Sequence, residues 1–381
     1  MSEYQSYEFQ AIDRLLTDQE MKELRGLSTR AAITRSSFTN EYHWGNFRGD
    51  PRKMMERYFD AFVYWANWGT RWLMLRLPRA LVDVQAAEQY CGENLFVVAK
   101  RDFVVFEFHS SDESGDWREE WDVNWMSSLV PVRDDLMRGD LRALYLAWLA
   151  GMQRGEFEED ELEPPVPPGL RSLSGSLASL AGFLRIDDDL LETAAEADQG
   201  AAPPEPSEKE FGAWLRSLPE SDKDSLLLSQ FAASAPRLHE QLLHRFRQET
   251  DRPSATAAGK RRTAGELTDA WQSRADQRRQ REAEAHAKRR EEEMRKKAAE
   301  REKYLDSLAG REAQVWTQIT KLIDKKNAAK YDLAVQLLAD LRDAAARTGE
   351  GGKFAIRLAK LRQQNARKPS FLERLDKQGL L

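Results

Sequence analysis

The chain has 381 residues, of which 41% are hydrophobic, and a formal net charge of −6. This composition favours a globular protein of two or three domains over a disordered or fibrous chain. The single cysteine, Cys91, excludes an internal disulfide and a cysteine-based zinc site, and no apolar run reaches the ~20 residues that a membrane-spanning helix needs.

The charges are distributed unevenly along the chain. From Lys260 to the C-terminus there are 30 basic and 19 acidic residues, a balance of +11, whereas the first 259 residues carry 28 basic and 45 acidic residues, a balance of −17. Such asymmetry predicts a surface for nucleic acid or for a protein partner, or docking of the two halves of the chain on each other. Because residues 1–10 lack the pattern of a signal peptide, we expect a cytoplasmic protein that makes no membrane contact.

Residues 1–155 are predicted to form an α+β domain rich in aromatic residues. Eight of the eleven tryptophans precede residue 150, a density that favours a large core. Tyr7 and Phe9 alternate with polar residues, as in a half-buried strand, and Thr17 with Glu20 predicts a capping box at a helix start. Further strands are predicted over residues 33–42, 71–77, 95–99 and 103–109, the last two forming a hairpin.

Two further helices are predicted in this domain. Apolar residues recur at helical spacing from Met54 to Trp65, and Pro51 suits the first turn of a helix, so one helix is predicted from Pro51 through Trp65. A long apolar stripe over residues 131–154 predicts a second helix, which closes the domain.

The histidines of this domain are considered as ligands of a metal site. His43 and His109 could in principle combine with the acidic residues between positions 112 and 122. No spacing resembles a ligand pattern such as H-E-x-x-H, and neither a phosphate-binding loop nor a nucleophile elbow is present. A solvated acidic loop beside one histidine is the favoured interpretation. We therefore predict no catalytic residue, no metal ligand and no cofactor.

The middle of the chain alternates linkers with helices. Residues 156–169, acidic and then rich in proline, are predicted to be an extended linker. Residues 170–250 carry leucine and aromatic stripes that predict an all-α region, in which the acidic residues Asp187 to Asp189 suit a helix N-terminus. Residues 251–263 are predicted to be a second linker.

Residues 264–308 are predicted to form one long charged helix. No large apolar residue occurs between positions 272 and 293, but four acid–base pairs at the stabilising i, i+4 spacing, such as Glu284 with Lys288, favour a helix over disorder. A coiled coil is the structural alternative, although its apolar seam would be interrupted for three turns. A nucleic-acid-binding arm is the functional alternative, but acidic residues interrupt the basic ones, so a spacer is favoured.

Residues 311–381 are predicted to form a small helical bundle with a basic face. Apolar stripes near Val315, Tyr331, Phe354 and Phe371 are separated by short breaks, a pattern typical of an antiparallel bundle. Together with two arginines that precede the charged helix, the basic residues of this bundle are the candidate contacts for nucleic acid or a partner. They are Arg261, Arg262, Lys353, Arg357, Lys360, Arg367 and Lys368.

Two segments carry a resemblance to known families. The stretches YDLAVQLL (331–338), DLRD (340–343) and RKPSFL (367–372) resemble the helical tail of some large bacterial SWIM zinc-finger proteins. The zinc finger itself is absent, because Cys91 is the only cysteine, and the resemblance therefore implies no metal binding. The opening YQSYEFQAIDR (4–14) resembles an uncharacterised bacterial family and implies no activity.

Together these features predict a non-enzymatic adaptor or scaffold that contacts protein partners through its N-terminal domain and its C-terminal helical module. The first alternative is a nucleic-acid-associated protein that binds through its basic C-terminal third. The second is an enzyme with an unrecognised site in the aromatic N-terminal domain. The sequence does not indicate an oligomeric state.

Overall fold

A computed structural model describes residues 3–111, 124–197, 207–231, 242, 245–246, 249–250 and 261–380. The chain divides into two compact units, Met1–Gln277 and Arg278–Leu381. The predicted fold class is confirmed: an antiparallel sheet with helices forms the N-terminal part, and the rest of the described chain is largely helical.

The first unit is built on one seven-stranded antiparallel sheet with the strand order β2-β3-β1-β4-β5-β7-β6. Successive side chains of each strand point to opposite faces, so the sheet contributes to two cores: Phe62 of the fourth strand lies in one and Val63 in the other. The strands are β1 (Gln5–Gln10), β2 (Ala32–Ile33), β3 (Ser37–Tyr42), β4 (Ala61–Ala66), β5 (Thr70–Pro78), β6 (Leu95–Ala99) and β7 (Phe103–Ser111).

Helices cover the two faces of the sheet at different places. α4 to α6 pack over β4 to β7 on one face, whereas α1 and α2 cover part of the other. The helices described up to position 231 are α1 (Asp18–Leu27), α2 (Pro51–Arg57), α3 (Val84–Glu88), α4 (Trp125–Met137), α5 (Arg142–Gln153), α6 (Gly175–Leu184), α7 (Asp188–Ala195), α8 (Glu208–Ser217) and α9 (Glu220–Phe231). The predicted capping box of Thr17 with Glu20 is confirmed at the start of α1.

Two predicted helices are corrected by the structure. The helix predicted through Trp65 ends at Arg57, and β4 follows, paired with β1 on one side and β5 on the other. A short apolar run fits both periodicities, and the neighbouring strands select the extended form. The helix predicted over residues 131–154 is two helices, α4 and α5, separated by Gly139, whose φ of 79° does not fit a right-handed helix.

The predicted linker at 156–169 packs against the first unit, because Glu163, Pro164 and Pro167 are all buried. Leu162 forms an isolated β-bridge with Thr263, just before the charged helix begins. This stretch therefore contributes to the structure of the first unit.

The predicted charged helix is confirmed as α10 (Ala264–Ala309). Its first turns belong to the first unit: Leu267 is fully buried, and Trp271 Nε1 donates a hydrogen bond to Asp187 Oδ1 at 2.9 Å. Every residue from position 276 to 300 is exposed. Arg278 pairs with Glu282 at 3.4 Å with the base before the acid, and the side chains of the predicted acid-first pairs lie in solvent.

The second unit is a helical bundle, as predicted. The last turns of α10 contribute Leu305 and Leu308 to its core, and Arg301 pairs with the buried Asp340 at 2.5 Å. The second of the four remaining helices contacts each of the other three. They are α11 (Glu312–Asp324), α12 (Ala328–Arg347), α13 (Gly351–Gln364) and α14 (Pro369–Lys377).

Candidate interaction surfaces

Two of the seven candidate cations, Arg261 and Arg262, form internal contacts of the first unit. The side chain of Glu163 is 3% exposed and accepts hydrogen bonds from Nε and Nη2 of Arg262, each at 2.8 Å, and from the Tyr145 hydroxyl at 2.5 Å. Arg261 Nε donates to the backbone oxygen of Glu163 at 2.6 Å. We call these four residues the Glu163 latch, since they attach the start of α10 to the first unit.

The surroundings of the Glu163 latch shift the pKa of the Tyr145 hydroxyl. Complete burial raises the pKa of the Tyr145 hydroxyl well above its ordinary value, and the neighbouring carboxylate of Glu163 raises it further. The hydroxyl therefore remains protonated and serves as a hydrogen-bond donor. This arrangement is structural, because its donors and acceptors satisfy one another inside the unit.

The candidate cations of the second unit have unequal surroundings. Lys368 pairs with Asp324 at 3.3 Å, and Lys353 pairs with Glu350 at 2.5 Å. The Arg357 guanidinium lies 4.8 Å from the centre of the Trp316 ring. Lys360 and Arg367 are exposed, and neither makes an ion pair among the residues that the structure describes. Among the seven candidates, the structure therefore leaves those in the middle of α13 as the best available cationic surface.

We define the α13 outer face as Lys353, Ile356, Arg357 and Lys360. The helix contains no acidic residue, and its opposite side, which includes Leu358 and Leu361, packs in the bundle core. Ile356 is 75% exposed, more than any other large hydrophobic side chain in the described chain. The cations of this face were predicted from the sequence, but Ile356 was not. Its position in the helix does not fit the apolar stripe of Leu358 and Leu361, and this mismatch could have indicated its exposure.

A second surface lies on the sheet and was not predicted. Trp72 of β5 stacks on His109 of β7 with 5.2 Å between ring centroids, and the 44% exposed Phe96 of the edge strand β6 meets the same imidazole edge-on at 5.5 Å. Two residues before His109, on the same face of β7, the buried Glu107 accepts three hydrogen bonds from Arg52 of α2, at 2.8–3.0 Å. We call Trp72, Phe96 and His109 the aromatic face.

Electrostatics keep Glu107 ionised although it is buried. Burial by itself raises the pKa of this carboxyl, but the nearby His109 imidazole and the Arg52 guanidinium more than offset burial, so the pKa is lowered. Because Arg52 occupies both carboxylate oxygens, the group is poorly placed to act as a general base. A single glutamate inside the otherwise apolar run from Phe103 to Phe108 was the signal in the sequence.

The two histidines considered for a metal or enzymatic site have different aromatic neighbours in the described structure. His43 packs against the Tyr4 ring at 5.2 Å, whereas His109 lies on the aromatic face. The acidic residues at positions 112–122 lie outside the described residues. Within the described ranges, no group of three or more histidine, cysteine, aspartate or glutamate residues could hold a metal ion. Burial raises the pKa of the Cys91 thiol, which disfavours the nucleophilic thiolate.

An open groove of about 530 Å³ lies between α7 and the start of α10. Leu170 and Leu191 supply apolar walls. The two carboxylates of the groove, Glu192 and Glu196, both pair with Arg274. Since these charged groups are already satisfied by one another, the groove offers no strong electrostatic recognition.

Searches of this chain against protein-family models, curated proteins and solved structures find no match. None of the helices in the described ranges combines the length and apolar character needed to span a membrane. The function is therefore inferred from the geometry of the chain itself.

Proposed function

We propose that the protein is a non-enzymatic adaptor or scaffold, which binds protein partners through its N-terminal domain and its C-terminal helical bundle. The observation that carries this proposal is that one helix supplies core residues to both units. α10 places Leu267 in the core of the first unit, and Leu305 and Leu308 in the core of the second. Anchored ends and a fully exposed middle suit a connector, because the middle stays a helix without packing partners.

Each unit also exposes apolar side chains in a setting that suits protein recognition. The α13 outer face combines Ile356 with three cations, and the aromatic face presents Phe96 beside the stacked rings of Trp72 and His109. Aromatic and arginine side chains are enriched where proteins bind one another. Two such surfaces on two units support an adaptor better than a protein with one binding site.

Nucleic-acid binding is the second candidate, and the absence of acidic residues on α13 favours it. Arg262 and Lys368, however, are already paired within the chain. Lys353, Arg357, Lys360 and Arg367 would then carry most phosphate contacts, and these four contacts correspond to a log–log salt slope of only about −4. This is a weak electrostatic basis for binding, so we rank it second.

The test is affinity capture from nuclease-treated extract of the source cells with the full-length chain as bait. Ile356→Glu and Phe96→Glu each place a charge on one proposed surface, and Met294→Glu, at a 63% exposed site on α10, is the matched control. An adaptor should recover two sets of proteins, one lost with each surface variant and both kept by the control. Recovery of the same proteins by all four baits would contradict the proposal.

A further inference from the structure

The α13 outer face has a charge pattern unlike the rest of the basic C-terminal third. The sequence GGKFAIRLAKLRQQ of α13 contains four basic and no acidic residues, whereas α10 mixes both signs throughout. Positions 353, 356, 357 and 360 are separated by three, four and seven residues, so they share one side of the helix. A continuous positive face with one apolar residue therefore points to solvent.

The cations of this face are available to a partner at little cost. Lys353 is held by Glu350 in an exposed ion pair, and such pairs contribute little to stability. Arg357 is exposed, but its guanidinium rests on the Trp316 ring, a contact that restricts its conformations before any partner arrives. Lys360 has no ion pair among the described residues. The face is therefore both positive and partly preorganised.

Ile356 discriminates among the classes of partner that a positive surface could attract. A phosphate backbone gains nothing from an aliphatic side chain that is 75% exposed. A lipid surface requires a broad apolar face, but Leu358 and Leu361 of this helix are buried in the bundle. An acidic protein segment that also carries aliphatic residues satisfies the cations and covers Ile356 at the same time.

We propose that the α13 outer face binds an acidic amphipathic segment of a partner protein. The carboxylates of the segment pair with Lys353, Arg357 and Lys360, and an aliphatic side chain of the segment packs on Ile356. This inference rests on the proposed adaptor function and specifies the partner chemistry of its C-terminal surface. The charged contacts set the rate and specificity of association, and the apolar contact slows dissociation.

The experiment selects binders from a phage-displayed library of random peptides on the immobilised full-length chain. Selected peptides are then measured by fluorescence anisotropy against Ile356→Glu and Lys360→Glu. Met294→Glu and Lys288→Glu make the same changes of charge at exposed positions of α10 and serve as matched controls. Circular dichroism establishes that all four variants fold.

We expect the selected peptides to be rich in aspartate and glutamate and to carry aliphatic residues. Each α13 variant should weaken their binding by about tenfold, and the two controls should leave it unchanged. High salt should weaken binding, because charges contribute to it. Peptides that depend on α13 but lack acidic residues would overturn the proposal, as would acidic peptides that bind both α13 variants normally.

Other occupants of the face are separate outcomes of the same comparison. Binding of a DNA duplex, of phosphatidylserine vesicles or of a second copy of the chain, lost in Lys360→Glu and kept in Lys288→Glu, would replace the acidic segment as the occupant. If capture from extract depends on Ile356 while the selected peptides are not acidic, the adaptor function stands and the partner chemistry is wrong. If neither depends on Ile356, both proposals fail at this surface.

Discussion

Replacing Arg262 by alanine tests whether the Glu163 latch holds the start of α10 in the first unit. The substitution removes the ionic partner of a carboxylate side chain that is 3% exposed and leaves it one hydrogen bond, from Tyr145. Removal of one member of a buried ion pair costs ~3–5 kcal/mol. Because 24% of the Arg262 side chain is exposed, we expect the lower end, about 3 kcal/mol.

A graded series of variants separates the effect of breaking the ion pair on stability from the effect of losing a side chain. Glu163→Gln keeps an acceptor for Tyr145 and leaves the unpaired charge on Arg262, which is 24% exposed and still donates to the backbone oxygen of Thr193, so it should cost only about 1–2 kcal/mol. Arg281→Ala, at an exposed position of α10, should change stability by less than about 0.5 kcal/mol. The expected order of destabilisation is therefore Arg262→Ala, then Glu163→Gln, then Arg281→Ala.

The assay is hydrogen exchange measured by mass spectrometry, because a chain with two compact units need not unfold in one transition. Peptides that cover α5 and the first turns of α10 report the free energy of local opening. Peptides from the second unit provide an internal reference. If Arg262→Ala lowers the opening free energy of α5 no more than Arg281→Ala does, the latch is not a stabilising contact and the reasoning is refuted.

Three further predictions concern the bundle, the acid response and the connector. Phe371→Ala should destabilise the second unit by ~3–5 kcal/mol in urea unfolding, because the ring is fully buried, whereas Leu333→Ala at a 46% exposed site should cost less than about 1 kcal/mol. The hydrogen bond from Arg14 lowers the pKa of Glu20 from 4.5 to about 2, so its stabilisation is complete above pH 4.5 and is lost as the pH falls towards 2. Glu20→Gln should therefore flatten the acid limb of the stability curve, and an unchanged limb would exclude this ion pair as a contributor. Ala285→Pro should increase hydrogen exchange over positions 276–300, at a cost of ~3 kcal/mol to the helix, while protection in both cores persists.

Local chemistry in the sequence was sufficient to predict several elements. The capping box of Thr17 with Glu20 depends on residues three apart, and the hairpin of β6 and β7 depends on two apolar runs around a short polar turn. The long charged helix was predicted to within one residue of its observed end at Ala309. These elements depend on contacts between residues a few positions apart, so they can be predicted from the spacing of residue types in the sequence.

The candidate surfaces were less accessible to sequence reasoning. The positive charge of α13 could be predicted, because no acidic residue interrupts it. The aromatic face could not, because Trp72 and His109 become neighbours only when β5 pairs with β7 in the sheet. The strand of residues 61–66 was mistaken for helix for the same reason, since β1 and β5 supply its hydrogen-bond partners from elsewhere in the chain.

By itself the sequence determined the locally specified elements, where the charges concentrate and that one charged helix joins the N-terminal and C-terminal parts of the chain. Only the tertiary structure decided which cations remain available for a partner. Arg262 lies 99 positions from Glu163, and the burial of that carboxylate makes their ion pair an internal contact. A count of charges in the sequence does not distinguish paired from unpaired cations. Folding pairs some cations with carboxylates of the same chain and leaves others, such as Lys360, in solvent.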